Sequence, residues 1–218
     1  MGVNLPAYRQ LRQELDAANV TLVAVSKIKP VADIQALYDA GQRDFGENYV
    51  QELADKQPRL PADIRWHFIG HLQSNKVKYI APFVHLIHGI DKAKLLQEIS
   101  KQAIKHGRVI DCLLQVHIAV EETKHGMDAG EVREAIESAR ELPGVRICGL
   151  MGMASFTEDQ VQLQKEFDEL HALFTQMRAI AGEQFNTLSM GMSGDYKLAI
   201  SCGSNMVRVG SLLFGARS

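Results

Sequence analysis

The sequence predicts an α/β fold in which eight parallel strands alternate with helices and close into a (β/α)8 barrel. Short apolar runs alternate with longer helical stretches nearly to the end of the chain, which is typical of a parallel sheet. About eight strand–helix units can be counted, and 218 residues are enough for a short barrel of this kind. No linker or low-complexity segment separates the units, so residues 1–218 are expected to form a single domain.

A doubly wound open sheet is the alternative, because it shows the same alternation of strands and helices. Sheets of that class often bind nucleotides through glycine-rich signatures. The sequence has no G-x-G-x-x-G after the first predicted strand and no GxxxxGK[ST] at any position, so it offers neither a dinucleotide site nor a P-loop.

The strands are predicted from apolar runs that are bounded by turn-forming residues. The first is "TLVAVS" and the longest is "VIDCLLQVHI". The complete set occupies 21–26, 43–48, 65–70, 83–90, 109–118, 145–152, 186–194 and 205–211.

The helices are predicted between these strands from apolar residues with helical spacing. They occupy 31–41, 49–57, 73–80, 91–107, 128–144, 159–182 and 196–201. The stretch at 91–107 is strongly amphipathic, and its apolar face is expected to consist of Leu95, Leu96, Ile99, Ala103 and Ile104. The stretch at 128–144 is expected to be helical up to Gly144, which stands just past its end.

Composition and charge exclude several classes of protein. A formal net charge of −2 gives no overall attraction for nucleic acid or an anionic membrane, so neither is expected as a partner. No apolar stretch approaches the roughly 18 residues of a transmembrane helix, and the first residues show no secretory signal. The three cysteines are far apart and odd in number, which argues against disulfides and favours a reducing cytoplasm.

Polar residues and glycines collect after the predicted strand ends, where barrels carry their function. Lys27 stands where the first strand ends, and Asn48 follows the second. A lysine at such a position is either a surface residue with a packed stem or an amine that can lose its proton and attack a carbonyl.

The last two strands lead into loops that are rich in Gly and Ser, "MGMSGD" and "RVGS". Barrel phosphate sites are often built from the loops after strands seven and eight. Here the glycine N–H groups, the hydroxyls of Ser193 and Ser211 and the dipoles of the following helices would all favour an anion. The two loops together therefore predict a phosphate site that faces Lys27.

A phosphate pocket opposite a nucleophilic lysine suggests two ligands: pyridoxal 5′-phosphate (PLP), or a phosphorylated sugar bound by a lysine-type aldolase. Arg208 favours PLP, because it would point into the barrel mouth and meet the pyridine nitrogen. A guanidinium there disfavours protonation of that nitrogen and makes the ring a weaker electron sink.

The chain resembles the pyridoxal phosphate homeostasis proteins, the YggS/PROSC family. The resemblance rests on motifs that occur in order along almost the whole chain: "VAVSKIKP", "FGENYVQE", "HFIGHLQSNK", "GLMGM", "MGMSGD" and "VRVGSLLFGAR". It implies a single barrel like the N-terminal domain of alanine racemase, with PLP as the cofactor.

By this resemblance the cofactor-binding residues are Lys27, Asn48, Ser193, Arg208, Gly210 and Ser211. Lys27 would carry PLP as an internal aldimine, and Ser193, Gly210 and Ser211 would hold its phosphate. The asparagine would lie beside the ring and the arginine at the ring nitrogen. Lys124 matches a lysine region of the family that is thought to handle PLP secondarily.

No metal is expected. His67 and His71 have the i, i+4 spacing of a helical metal pair, but they lie in a strand and its loop, and no Asp or Glu completes a set. His85, His88 and His117 are interpreted as hydrogen-bonded barrel residues or rim residues. Four methionines near the mouth are interpreted as core packing: Met151, Met153, Met190 and Met192.

The predicted function is intracellular PLP homeostasis: the protein would carry PLP on a lysine without evident catalysis. The racemases that the chain resembles use a second domain for an opposing acid–base group, and the sequence ends at Ser218 without residues for it. The alternatives are a PLP-dependent amino-acid racemase or lyase of the alanine racemase type and, third, the aldolase. PLP-dependent apo-enzymes are the expected recipients, and the protein is expected to act as a cytoplasmic monomer.

Overall fold

Eight strands close into a barrel in which all neighbours are parallel and the last strand pairs with the first. The computed structural model describes residues 2–119 and 126–215. The strands are β1 (Thr21–Val25), β2 (Asp44–Glu47), β3 (Arg65–Phe68), β4 (Leu86–Ile90), β5 (Ile110–Val116), β6 (Val145–Gly152), β7 (Thr187–Met192) and β8 (Met206–Val209). Each lies inside its predicted run, and the closed order confirms the (β/α)8 barrel over the open sheet.

Helices follow the strands around the outside of the barrel. In the described ranges they are α1 (Leu5–Ala17), α2 (Val31–Asp39), α3 (Val50–Lys56), α4 (Val77–Ile80), α5 (Ala93–Lys105), α6 (Ala129–Ala139), α7 (Gln160–Ala181), α8 (Tyr196–Ser201) and α9 (Ser211–Phe214). None of these described helices is both long and apolar enough to cross a membrane.

The first helix, α1, has no counterpart among the predicted helices. The side chain of Asn4 caps it by accepting a hydrogen bond from the N–H of Ala7 at 3.1 Å. Its buried face consists of Tyr8, Leu11 and Leu15. These three apolar positions are a weak periodic signal, and α1 precedes β1, where strand–helix alternation does not require a helix.

Two details of the predicted helices are wrong. α6 ends at Ala139, because Pro143 restricts the residue before it and the chain turns instead. Gly144 is needed for a close approach: a Cβ there would lie 2.4 Å from the carbonyl oxygen of Ser100 in α5. On α5, Ile104 is 55% exposed because it lies at the margin of the apolar face, whose other predicted members are buried: Leu95, Leu96, Ile99 and Ala103.

The core has two apolar parts and one polar part. The larger apolar part lies between the sheet and the helices. The smaller one faces the barrel interior and consists of Val23, Leu86, Leu113, Cys148, Met151 and Met206. Buried polar side chains share the interior with it: Asp44, His67, His88, Ser189 and Arg208. The barrel interior is therefore unusually polar for a packed core.

Candidate functional site

A cavity of about 380 Å³ opens at the C-terminal mouth of the barrel. All six residues that the sequence analysis assigned to cofactor binding line it: Lys27, Asn48, Ser193, Arg208, Gly210 and Ser211. They come from the ends of β1, β2, β7 and β8, which the closed barrel brings to one edge. The structure thus gathers residues that lie up to 184 positions apart, while their roles toward a ligand stay a prediction.

The cavity is positively charged. Three cationic side chains, those of Lys27, Lys29 and Arg208, line it, and no Asp or Glu is among the described lining residues. Two hydroxyl groups and three glycines provide further hydrogen-bond donors at its edge. Such a lining favours an anionic ligand, and the volume is typical of a small-molecule site.

The loop that carries Lys27 is fixed on both sides of that residue. The Lys56 ammonium donates to the carbonyl of Ser26 at 2.9 Å, and the N–H of Ile28 donates to a Glu52 oxygen at 2.7 Å. Ile28 has a φ of +61°, which is unfavourable for a β-branched residue. Two hydrogen bonds from α3 therefore hold in place the strained turn that carries Lys27.

A buried ion cluster supports this turn. Lys56 lies 2.8 Å from Glu47 and 2.6 Å from Glu52, and the Ser26 hydroxyl donates to the same Glu47 oxygen at 2.6 Å. Glu47 is fully buried, and burial raises its pKa while Lys56 opposes the increase. Its second carboxylate oxygen has no hydrogen-bond partner in the described part of the chain.

Asn48 presents an unsatisfied amide oxygen beside the cavity. This buried Oδ1 atom has no partner among the described protein groups, although buried polar atoms are usually hydrogen-bonded. The backbone of Asn48 is held closely, since a Cβ at Gly70 would lie 2.3 Å from the Asn48 carbonyl oxygen. An acceptor without a protein partner, on a residue that lines the cavity, makes Asn48 a candidate contact for a ligand donor.

The two glycine-rich loops are joined to each other. The N–H of Gly210 donates to the Ser193 hydroxyl at 3.2 Å, and Asp195 closes its own loop by accepting from the Met192 N–H at 2.5 Å. The helices that follow, α8 and α9, have only six and four residues. The expected helix dipoles are therefore weak, and the hydroxyl and N–H donors themselves would have to hold an anion.

Arg208 reaches the cavity from the barrel interior. Its side chain donates to the carbonyl and the hydroxyl of Ser189 at 2.9 and 2.7 Å, and to the carbonyl of Gly152 at 2.9 Å. Burial lowers its pKa to about 10, and Asp195 opposes that decrease. No carboxylate in the described ranges forms a hydrogen bond with this guanidinium, so its charge is available to a ligand.

Sequence reasoning missed several residues of the cavity. Lys29 lines it and donates to the carbonyl of Phe214 at 2.9 Å; its place two residues after Lys27 was the available signal. Phe156 lines the same cavity and is 99% exposed. The core-packing interpretation holds for Met151 and Met190, but it is wrong for Met192, which is 38% exposed because it lies where β7 leaves the barrel. Met153 also lines the cavity.

The histidines lie apart from this cavity. His71 pairs with Asp91 at 3.3 Å, whereas His67 binds Asp44 in the barrel interior. Donor atoms of Asp44, His67 and His85 lie within 4.8 Å of one another, so the expectation that no Asp or Glu completes a set is wrong for His67, because folding brings Asp44 of β2 beside it. The Asp44 oxygens already accept hydrogen bonds from His67 and Arg65, so their hydrogen bonding is satisfied without a metal ion. The absence of a resident metal stays a prediction. Lys124 lies outside the described residues.

Comparison with known proteins gives concordant matches. A family profile described as "Alanine racemase, N-terminal domain" matches residues 7–218. The chain is 40% identical over 204 residues to the pyridoxal phosphate homeostasis protein of Pasteurella multocida, a match that covers 91% of this chain and 87% of the relative. It is 36% identical over 221 residues to the protein of the same name from Escherichia coli K12, covering 95% and 94%.

A solved structure gives the same result. PipY of Synechococcus elongatus PCC7942, without PLP, superimposes with a TM-score of 0.90 at 36% identity, covering 96% of this chain and 99% of that one. The same protein with PLP bound superimposes with a TM-score of 0.87 at 35% identity. Similarity in sequence and in fold therefore extends over nearly the whole chain.

Proposed function

The chain belongs to the family of the pyridoxal phosphate homeostasis proteins, built on the N-terminal domain of alanine racemase, and on this premise we propose that it binds PLP in the cavity at the C-terminal mouth. The observation that supports this most strongly is the lining: a lysine amine, three cations in all and two Ser hydroxyls, with no acidic side chain among the described lining residues. PLP supplies an aldehyde, an aromatic ring and a dianionic phosphate, and each has a matching group there.

The residues divide into those that would hold the phosphate and those that would meet the ring. Ser193, Gly210 and Ser211 offer hydroxyl and N–H donors to the phosphate. Arg208 would donate toward the pyridine nitrogen and would disfavour a proton on that atom, since two adjacent positive charges are costly. The orphaned Asn48 oxygen would accept from a donor at the ring edge. Lys27, held by its fixed turn, offers the amine for covalent attachment.

We propose further that the protein carries PLP for cellular homeostasis and does not turn over amino acids. The curated relatives are named for homeostasis rather than for a reaction. With Arg208 beside it, the ring nitrogen of bound PLP would stay unprotonated and would stabilise a carbanion poorly, which supports a carrier over a racemase. PLP-dependent apo-enzymes are the proposed recipients, and the proposed form is a cytoplasmic monomer.

Covalent labelling tests the site. The PLP-loaded protein is reduced with borohydride, and tandem mass spectrometry of its peptides is expected to place the pyridoxyl group on Lys27. The matched control is Lys29, which lines the same cavity. Lys27→Ala should lose the visible absorbance of bound PLP, while Lys29→Ala should keep it. A pyridoxyl group confined to Lys29 or to surface lysines would refute the assignment.

Isotope exchange tests whether the protein carries PLP without turning over amino acids. The loaded protein is incubated with common amino acids in deuterated water, and no multiple-turnover exchange at Cα is expected. Steady exchange that survives repurification and disappears in Lys27→Ala would establish an enzyme of the racemase type instead.

A further inference from the structure

A chain of buried polar side chains crosses the barrel from Arg208 to the opposite mouth. Arg208 Nη1 lies 2.7 Å from Ser189 Oγ, and Ser189 Oγ lies 3.2 Å from His88 Nδ1. His88 Nε2 lies 2.9 Å from His67 Nδ1, and His67 Nε2 lies 2.9 Å from Asp44 Oδ1. All five residues are at least nine-tenths buried, and they come from five different strands.

For neutral histidines, the two ends of this hydrogen-bond chain fix the direction of each bond in it. A guanidinium only donates hydrogen bonds and a carboxylate only accepts them. Burial would raise the pKa of Asp44, but hydrogen bonds from His67 and Arg65 lower it well below its ordinary value, so the carboxylate is ionised. His67 must then carry its proton on Nε2 if it is neutral, and its Nδ1 atom must accept.

The same reasoning extends to the middle of the chain. Burial lowers the pKa of His88 well below its ordinary value, so this ring is neutral and has one N–H. Opposite a neutral His67 whose Nδ1 accepts, the Nε2–H of His88 donates to His67, which leaves Nδ1 to accept from the Ser189 hydroxyl. The Ser189 oxygen then presents its lone pairs to Arg208. In each of the four hydrogen bonds, the donor is therefore the group on the Arg208 side and the acceptor is the group on the Asp44 side.

We propose that Ser189, His88 and His67 are positioning residues that hold the Arg208 guanidinium toward the cavity by a one-directional hydrogen-bond relay ending on Asp44. The relay prevents the Ser189 hydroxyl from turning its proton toward Arg208, so that the serine offers two acceptors, Oγ and the main-chain carbonyl. The orientation of Arg208 is thus set across the barrel, by a residue at the N-terminal mouth. The ligand that this guanidinium meets rests on the proposed function; the relay itself does not.

The Asp44 end of the relay reaches solvent. A cavity of about 350 Å³ at the N-terminal mouth is lined by Asp44, Arg65, His67 and His85. Arg65 pairs with both Asp44 oxygens and is half exposed. His85 lies against His67 at 5.4 Å between ring centroids but is not a member of the chain, which makes it the matched control.

Nitrogen NMR of the protein without PLP tests the relay directly. In protein labelled with ¹⁵N-histidine, His67 and His88 are both expected as the Nε2–H tautomer, with an unprotonated Nδ1. A His88 ring protonated on Nδ1 would reverse its two bonds and overturn the proposal. This measurement needs no bound ligand, so it distinguishes failure of the relay from failure of PLP binding.

Variants test the consequence for the cavity. Ser189→Ala and His88→Asn are expected to shift the visible absorption maximum of bound PLP and to weaken its binding about threefold to tenfold, as for one lost hydrogen bond. His85→Asn is expected to leave both unchanged. Unchanged spectra and affinity in Ser189→Ala would overturn the positioning role. If neither variant folds, the tautomer of His88 in the native protein decides.

Discussion

Lys56 and Arg208 are both buried cations near the ligand cavity, but their surroundings are opposite. Lys56 lies within 2.8 Å of Glu47 and 2.6 Å of Glu52. Among the described residues, Arg208 donates to neutral oxygens alone, those of Ser189 and Gly152. The charge of Lys56 is neutralised by its neighbours, whereas the charge of Arg208 is left for a ligand. Lys56 therefore stabilises the structure around the cavity, whereas Arg208 is placed to interact with a ligand.

The largest effect is expected at Lys56. Lys56→Met leaves Glu47 buried without its cation, which should lower the free energy of unfolding by about 3–5 kcal/mol. The control is Lys165→Met, because Lys165 pairs with Glu169 on the exposed face of α7 and should cost less than about 1 kcal/mol. Urea unfolding of both proteins without PLP measures the difference. Equal costs would show that the buried cluster is dispensable.

The next largest effect is expected on PLP affinity when a Ser hydroxyl is removed from the predicted phosphate site. Ser193→Ala and Ser211→Ala should each weaken PLP by roughly 1.5–3 kcal/mol, because each removes a hydrogen bond to a charged phosphate. Pyridoxal has no phosphate, so its binding should change little. Titrations with both compounds measure the effect, and equal weakening of the two would place the phosphate elsewhere.

Arg208 should matter less to folding than Lys56 does. Arg208→Met removes hydrogen bonds to neutral acceptors, but it also removes a buried cation that has no ion-pair partner in the described part of the chain. We expect a loss of less than about 2 kcal/mol in unfolding free energy without PLP. The same variant should bind PLP more weakly and with an altered visible spectrum. A cost as large as that of Lys56→Met would contradict the comparison.

The sequence predicts the residues that line the cavity better than it predicts the buried polar contacts that hold them in place. Strand–helix alternation places Lys27 and Ser211 at one barrel edge, because all parallel strands end there. The role of Lys56 is not visible in the same way, since Glu52 and Lys56 have the spacing of an ordinary exposed helix pair. Only folding brings Glu47 of β2 against them. His88 could be predicted as a hydrogen-bonded barrel residue, but its partners come from other strands.

The smallest effect is expected in the pH dependence of stability, from two carboxyl groups on β2. Burial raises the pKa of Glu47, whereas hydrogen bonds lower the pKa of Asp44. A carboxyl group whose pKa is raised by folding contributes stability at pH values below its pKa in the unfolded state, about 4.3 for Glu. That stability is lost as the pH rises through its pKa in the folded state. A lowered pKa gives stability that is present above about 3.9 for Asp and lost on acidification.

The two neutral variants should therefore change the pH dependence in opposite directions. Relative to the native protein, Glu47→Gln should gain stability as pH rises from about 4 to 7, and Asp44→Asn should gain it as pH falls from about 5 to 3. Unfolding free energies measured across this range without PLP give both slopes. Slopes of the same sign would mean either that Lys56 outweighs burial at Glu47 or that burial outweighs the hydrogen bonds from His67 and Arg65 at Asp44.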